Sequence, residues 1–140
     1  MKKLLLLLFA TPLLCLVLSS CNAKLFVIRP TLIDRITIAN LSSGESTELI
    51  RSDIDEVKWL MDDLVLQMAE FYKRDGKCSD DYGHLYEAEF YNGDRLELSV
   101  FMNEDGSVCK GEGRYVLSEE NAEMVEEDLE KWAKAFELGE

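Results

Sequence analysis

The stretch LYEAEFYNGDRLELSVF, residues 85–101, decides the fold. Apolar and polar residues alternate on both sides of Asn92-Gly93. Alternation is the signature of a strand with one buried face, and Asn-Gly between two such runs is the strongest short hairpin signal, because both turn positions then take positive φ. Tyr86, Ala88 and Phe90 should face the core from the first strand, and Leu96, Leu98 and Val100 from the second. A turn at residues 103–106 leads into a third strand, 108–117, bent at Gly111 and Gly113.

Upstream, DRITIAN (residues 34–40) places Ile36 and Ile38 on one face. The Ser42-Ser43-Gly44 turn joins it to a weaker strand, ESTELI (45–50). Ser52 is placed as the N-cap of a helix with Asp53, Asp55 and Glu56 at its dipole-positive end. Val57, Leu60, Met61, Leu64 and Met68 share one helical face. The spacing slightly favours a helix ending near Leu64, with residues 65–72 extended; the alternative runs to Tyr72. Residues 76–83 (GKCSDDYG) form a polar loop. Ser118 caps a last helix with an apolar stripe of Val125, Leu129, Trp132, Ala133 and Phe136, opposite Glu126, Glu127 and Glu130. Trp59 and Trp132 are both expected in the core or half-buried. The order β-β-α-β-β-β-α predicts an α+β domain: an antiparallel sheet of about five strands with two helices on one face.

The chain has 140 residues, enough for one domain. Its first 20 read as a targeting segment. Lys2 and Lys3 precede an apolar run over residues 4–18, too short for a span of roughly 20 residues and closed by Ser19 and Ser20. Leu18-Ser19-Ser20-Cys21 resembles the lipobox of bacterial lipoproteins. The resemblance implies that the Cys21 thiol receives a diacylglycerol, with further acylation such as palmitate, and that cleavage falls just before it. Cys15, preceded by Pro12, Leu13 and Leu14, lacks the pattern. Residues 1–20 are then a signal peptide, 21–33 a tether and 34–140 the domain. The tether is not the Gly/Ser type, because residues 25–28 are apolar and suit an edge strand or the lipid interface. Asn22 leans towards an outer membrane if the cell has one. The element order after a lipobox is also similar to small lipoproteins of uncharacterised function in Gram-positive bacteria. That is a resemblance of pattern, and it brings no active-site residues with it.

Removing Lys2 and Lys3 with the signal leaves 13 basic against 28 acidic residues, a net charge of −15. Such acidity argues against nucleic acid and against basic contacts to anionic lipid. It suits a solvated domain or a cationic protein partner.

Four cysteines reduce to two in the domain, Cys78 and Cys109. An even pair in an exported chain reads as a disulfide. His84, near Cys78, Asp80 and Asp81, is the only histidine, so no zinc set can be assembled. A Cys–His nucleophile requires a free thiol. FMNEDGSVCKGE (101–112) approaches a calcium loop through Asn103, Asp105, Gly106 and Glu112. Phe101 stands where an oxygen ligand is needed, and a plain turn explains the pattern without a metal. Asp62-Asp63, Asp80-Asp81, Glu119-Glu120 and Glu126-Glu127 are adjacent carboxylates that diverge in space. No nucleophile elbow, phosphate loop or dinucleotide fingerprint is present. The expectation is a lipid-anchored, non-enzymatic envelope protein without a cofactor, outside the cytoplasm, with an acidic inhibitor of a lysozyme or protease as the alternative.

Overall fold

A computed structural model describes Leu25 and residues 32–139. Cys15, Cys21 and the segment 1–20 lie outside the described residues. The domain is α+β, with one seven-stranded antiparallel sheet in the order β2-β1-β4-β5-β6-β7-β3. In chain order the elements are β1 (Arg35–Asn40), β2 (Ser46–Ile50), α1 (Asp55–Leu66), β3 (Tyr72–Lys77), β4 (His84–Asn92), β5 (Arg95–Asn103), β6 (Val108–Lys110), β7 (Gly113–Leu117) and α2 (Val125–Leu138). The expected five strands become seven, for two reasons. The run 108–117 is two strands folded at Gly111, whose φ of 55° makes a tight turn rather than a bend. Tyr72–Lys77 is a strand that the alternation test misses, because only Tyr72 on it is buried.

The hairpin stands where the alternation put it, with two changes. Asn92 pairs with Arg95, so Gly93 and Asp94 form the two-residue turn. Gly93 has φ 60°, and no non-glycine residue among those described has positive φ; one positive φ at the first central position is the II′ arrangement. The register then slips. Phe90 faces Leu98 but Tyr91 faces Leu96, leaving Glu97 as an extra residue in β5. That bulge reverses the parity of the strand's first turn of sequence, so Leu96 is 47% exposed while Leu98 and Val100 are buried.

α1 buries Val57, Leu60, Met61, Leu64 and Val65. The favoured reading, a helix ending near Leu64 with residues 65–72 extended, is not what forms. Helical winding continues as a π-turn over Gln67–Phe71, because Val65, Met68 and Ala69 keep the i, i+3, i+4 spacing and stay buried. Ser52 is not the cap. Ile54 holds that position without a side-chain bond, and the Ser52 hydroxyl accepts from the Ile54 amide at 3.3 Å. Ser118 likewise precedes a 3₁₀ segment, Glu119–Met124, before α2 begins. Its Oγ accepts from Asn121 Nδ2 at 2.8 Å.

One buried cluster joins β1 (Ile36, Ile38), β2 (Leu49), β4 (Ala88, Phe90) and β5 (Leu98, Val100, Met102) to α1 and to Trp132 and Ala135 of α2. Leu25 belongs to it, fully buried, and Lys110 Nζ donates to its carbonyl at 3.1 Å. The chain is therefore held against the domain four residues after Cys21. The sheet has two edges. On β2, Gly139 lies so close that a Cβ there would stand 3.0 Å from the Glu48 carbonyl. On β3, Lys73, Arg74 and Lys77 are exposed, and such charges on an edge disfavour pairing with another chain.

Candidate functional site

Three places bring chemistry-bearing side chains together. The first is the disulfide-bound loop. Cys78 and Cys109 are bonded, tying the end of β3 to β6 across 31 residues. The bond leaves neither thiol available for nucleophilic or ligand chemistry. A 3₁₀ turn, Asp80–Tyr82, follows. His84 stacks on Phe101 with centroids 4.8 Å apart, its Nδ1 is 2.5 Å from Asn103 Oδ1, and Asp80 lies 3.8 Å from Nε2. Asn103 Nδ2 in turn donates to Ser107 Oγ at 2.9 Å and to Cys109 Sγ at 3.4 Å.

The same groups surround the turn that approaches a calcium loop. Asp105 Oδ1 accepts from the Ser107 amide at 2.9 Å, and Oδ2 accepts from Arg114 Nη2 at 3.0 Å. Burial opposes ionisation of Asp105, but the Ser107 and Arg114 hydrogen bonds outweigh it and hold the carboxyl below its ordinary value. Asn103 is turned to His84, and Glu112 is exposed in the β6–β7 turn. Asn103, Asp105 and Glu112 are thus each engaged or turned away, and they do not converge. Among the described residues no group of three or more metal-ligating side chains forms. Arg114 also pairs with Asp75 at 2.8 Å and lies over the Tyr82 ring at 4.7 Å, so it clamps β3, β7 and the loop.

The second place is buried. Asp128, which the stripe reading leaves out, is 1% exposed and shares the inward face of α2 with Trp132 and Ala135. Gln67, also 1% exposed, donates its Nε2 to Asp128 Oδ1. Asp128 Oδ2, Gln67 Oε1 and Trp132 Nε1 are buried without a hydrogen-bond partner. The signal that could have found Asp128 is its spacing: 128, 132 and 135 are one helical face.

The third is the outward face of α1. Trp59 is 67% exposed, against the expectation of a core or half-buried position. Its phase explains this, since it lies between the buried positions 57, 60 and 61 in sequence but on the other side of the helix. Leu66, two turns on, is 40% exposed, and Ile54 at the N-cap is 62% exposed. Asp55, Asp62 and Asp63 stand at i−4, i+3 and i+4 from Trp59. Asp62 is held by Arg51 at 2.7 Å and Glu56 by Lys134 at 3.2 Å. No family model, curated protein or solved structure matches this chain. The geometry alone therefore ranks the three places. The buried pair presents no atoms to a large partner and the disulfide-bound loop presents the carboxylates of Asp80 and Asp81, whereas the α1 face sets a large exposed aromatic ring beside the exposed carboxylates of Asp55 and Asp63.

The face of the sheet away from the helices adds a polar surface. Thr37, Ala39, Ser46, Glu87 and Glu89 line a shallow, open groove there. Tyr91 donates to Glu89 Oε2 at 2.6 Å, and Arg35 lies 4.1 Å from the centre of the Tyr91 ring while bonding Glu48 at 3.2 Å. These groups satisfy one another. Among the described residues no helix is long and apolar enough to cross a membrane.

Proposed function

We propose that this chain is a lipid-anchored envelope protein whose domain binds a cationic protein partner through the outward face of α1, without catalysing a reaction. The observation that carries the reading is Trp59, 67% exposed among Asp55, Asp62 and Asp63. A large exposed aromatic ring loses free energy in water and gains it under a partner, and tryptophan faces attract cations. The net charge of −15 after cleavage steers a basic protein by long-range attraction. The lipobox supports the anchor. At least two acyl chains on Cys21 give stable membrane attachment where one gives only marginal binding. A bonded Cys78–Cys109 pair fits an oxidising compartment.

Trp59→Ala tests the site. The residue packs little in the free domain, so its stability should change by less than about 0.5 kcal/mol. Binding to a basic probe protein such as lysozyme, measured at low ionic strength, should weaken tenfold or more. Equal affinity of the two proteins would remove the α1 face from the function. The anchor has its own test: Cys21→Ser should abolish lipid labelling and move the protein from the membrane to the soluble fraction, and a labelled, membrane-bound variant would refute it.

The alternative reading, inhibition of a cationic hydrolase, draws on the loop that opens at Cys78. The disulfide pins one end of it, and a pre-organised loop loses little entropy on binding. Asp80 and Asp81 are exposed on it. Replacing both by Asn would weaken binding under this reading and leave it unchanged under the first.

A further inference from the structure

Gln67 opens the π-turn that continues α1, and Asp128 stands on the inward face of α2. Gln67 Nε2 donates to Asp128 Oδ1, which makes one limb of a pair. Gln67 Oε1 and Asp128 Oδ2 remain buried and unpartnered. Both are acceptors, and a carboxylate has no hydrogen to offer. Trp132 Nε1, the buried donor on the same face, bonds to neither oxygen. A charged Asp128 would leave two acceptors orphaned in the core, at the full cost of desolvation. A single proton on Oδ2 would change that, since Oδ2–H could then donate to Gln67 Oε1 and satisfy both acceptors together.

We propose that Asp128 is a proton switch, whose neutral form closes a two-limbed carboxyl–carboxamide pair with Gln67 that latches α2 onto the π-turn, and whose ionised form leaves that latch half-made. The step is a simple protonation from solvent, with no other bond made or broken. The surroundings favour it. Burial pushes the Asp128 carboxyl up to about 6, against the attraction of Lys131 and with help from Glu127 on the same helix. From β3, Tyr72 faces it with a hydroxyl already given to the Gly106 carbonyl at 3.0 Å. Asp105 adds a more distant negative charge on Tyr72. Gln67, from the π-turn, is neutral. Among the described residues, Lys131 is the cation whose attraction favours the charged form.

The sign follows from linkage. A carboxyl raised in the folded state contributes stability that is complete below the ordinary carboxyl range and is lost as pH rises through about 6. A gap of about two units corresponds to about a hundredfold in the folding equilibrium constant. The domain should therefore resist mild acid in a range where loss of carboxylate pairs usually destabilises proteins.

Asp128→Asn supplies the missing N–H permanently and keeps both limbs. Urea unfolding of the mature chain and of D128N between pH 4.5 and 8 is the experiment. Every other ionisable group is common to both proteins and cancels in the difference. The wild type should lose about thirtyfold in its folding constant across the window relative to D128N, because part of the effect lies below pH 4.5, and D128N should be the more stable protein at pH 7.5. A constant difference across the window overturns the proposal. Carbon-detected titration of the wild-type Asp128 carboxyl gives a readout that needs no variant: a midpoint near 6 supports the switch, and a midpoint near 4 overturns it. Neither measurement depends on the lipid anchor or on the α1 face.

Discussion

Replacing Trp132 by alanine should lower the unfolding free energy by about 3–5 kcal/mol, the range for truncating a large buried aromatic residue. Trp132 is fully buried at the meeting point of α2 and the sheet. Its ring stacks on Tyr86 of β4 at a centroid distance of 6.0 Å, and Tyr86 lies equally far from Phe136 one turn further along α2. Removing the indole empties that volume and strips Tyr86 of one of its two ring partners. Trp132→Phe separates packing from polarity. It keeps most of the ring and deletes an Nε1–H that has no acceptor, so it should cost less than about 1.5 kcal/mol. Urea denaturation with fitted slopes checks both. A loss below 1 kcal/mol for the alanine variant would mean that α2 is not anchored here.

The second large effect comes from the disulfide. Replacing Cys78 and Cys109 together by alanine releases a loop closed across 31 residues. In the chain-entropy description that costs about 3–4 kcal/mol. For a domain of this size the melting temperature should fall by more than about 10 °C. Cys109 is 1% exposed, so reduction of the native protein should need local opening and should accelerate under conditions that loosen the β6 region. The loss should be local as well as global. His84 is set opposite Asn103 by the β4–β5 pairing and follows directly on the loop that Cys78 ties down, so its ring shifts in the nuclear magnetic resonance spectrum should report the release of that loop. A variant that melts within a few degrees of the wild type would show that Arg114, with Asp75, Asp105 and Tyr82, holds the loop unaided.

Much of this was legible in the chain. Strict alternation about Asn92-Gly93 identified the hairpin, and Ile36 and Ile38 identified β1, because a strand with one dry face must alternate. The cysteine pairing followed from setting aside Cys15 and Cys21. What escaped did so for identifiable reasons. Tyr72–Lys77 is an exposed edge strand, so no apolar rhythm marks it. The Glu97 bulge is a register event between two strands, and no single-strand pattern contains it. The apolar character of Trp59 points inward, although its helical phase against Val57, Leu60 and Met61 places it outside. Asp128 is one acid among 28, and only its phase with Trp132 marks it as inside. Phase was the better guide in both helices.

The strand order also says something about the sequence of events in folding. β4, β5, β6 and β7 are neighbours in the chain and neighbours in the sheet, so each pairing closes a short loop. β3 is different. It leaves the π-turn at Tyr72 and joins β7 at the far edge, opposite Leu117, some forty residues on. Loop-closure entropy makes that pairing slower than those within the meander, as it does the β1–β4 pairing of Arg35 with Tyr91, and it can form only on a β7 edge that the meander has already built. The Cys78–Cys109 bond spans this same junction. Oxidation therefore works as a ratchet on a strand that arrives after the meander, and a chain kept reduced during synthesis would carry a finished meander with β3 still searching for its place.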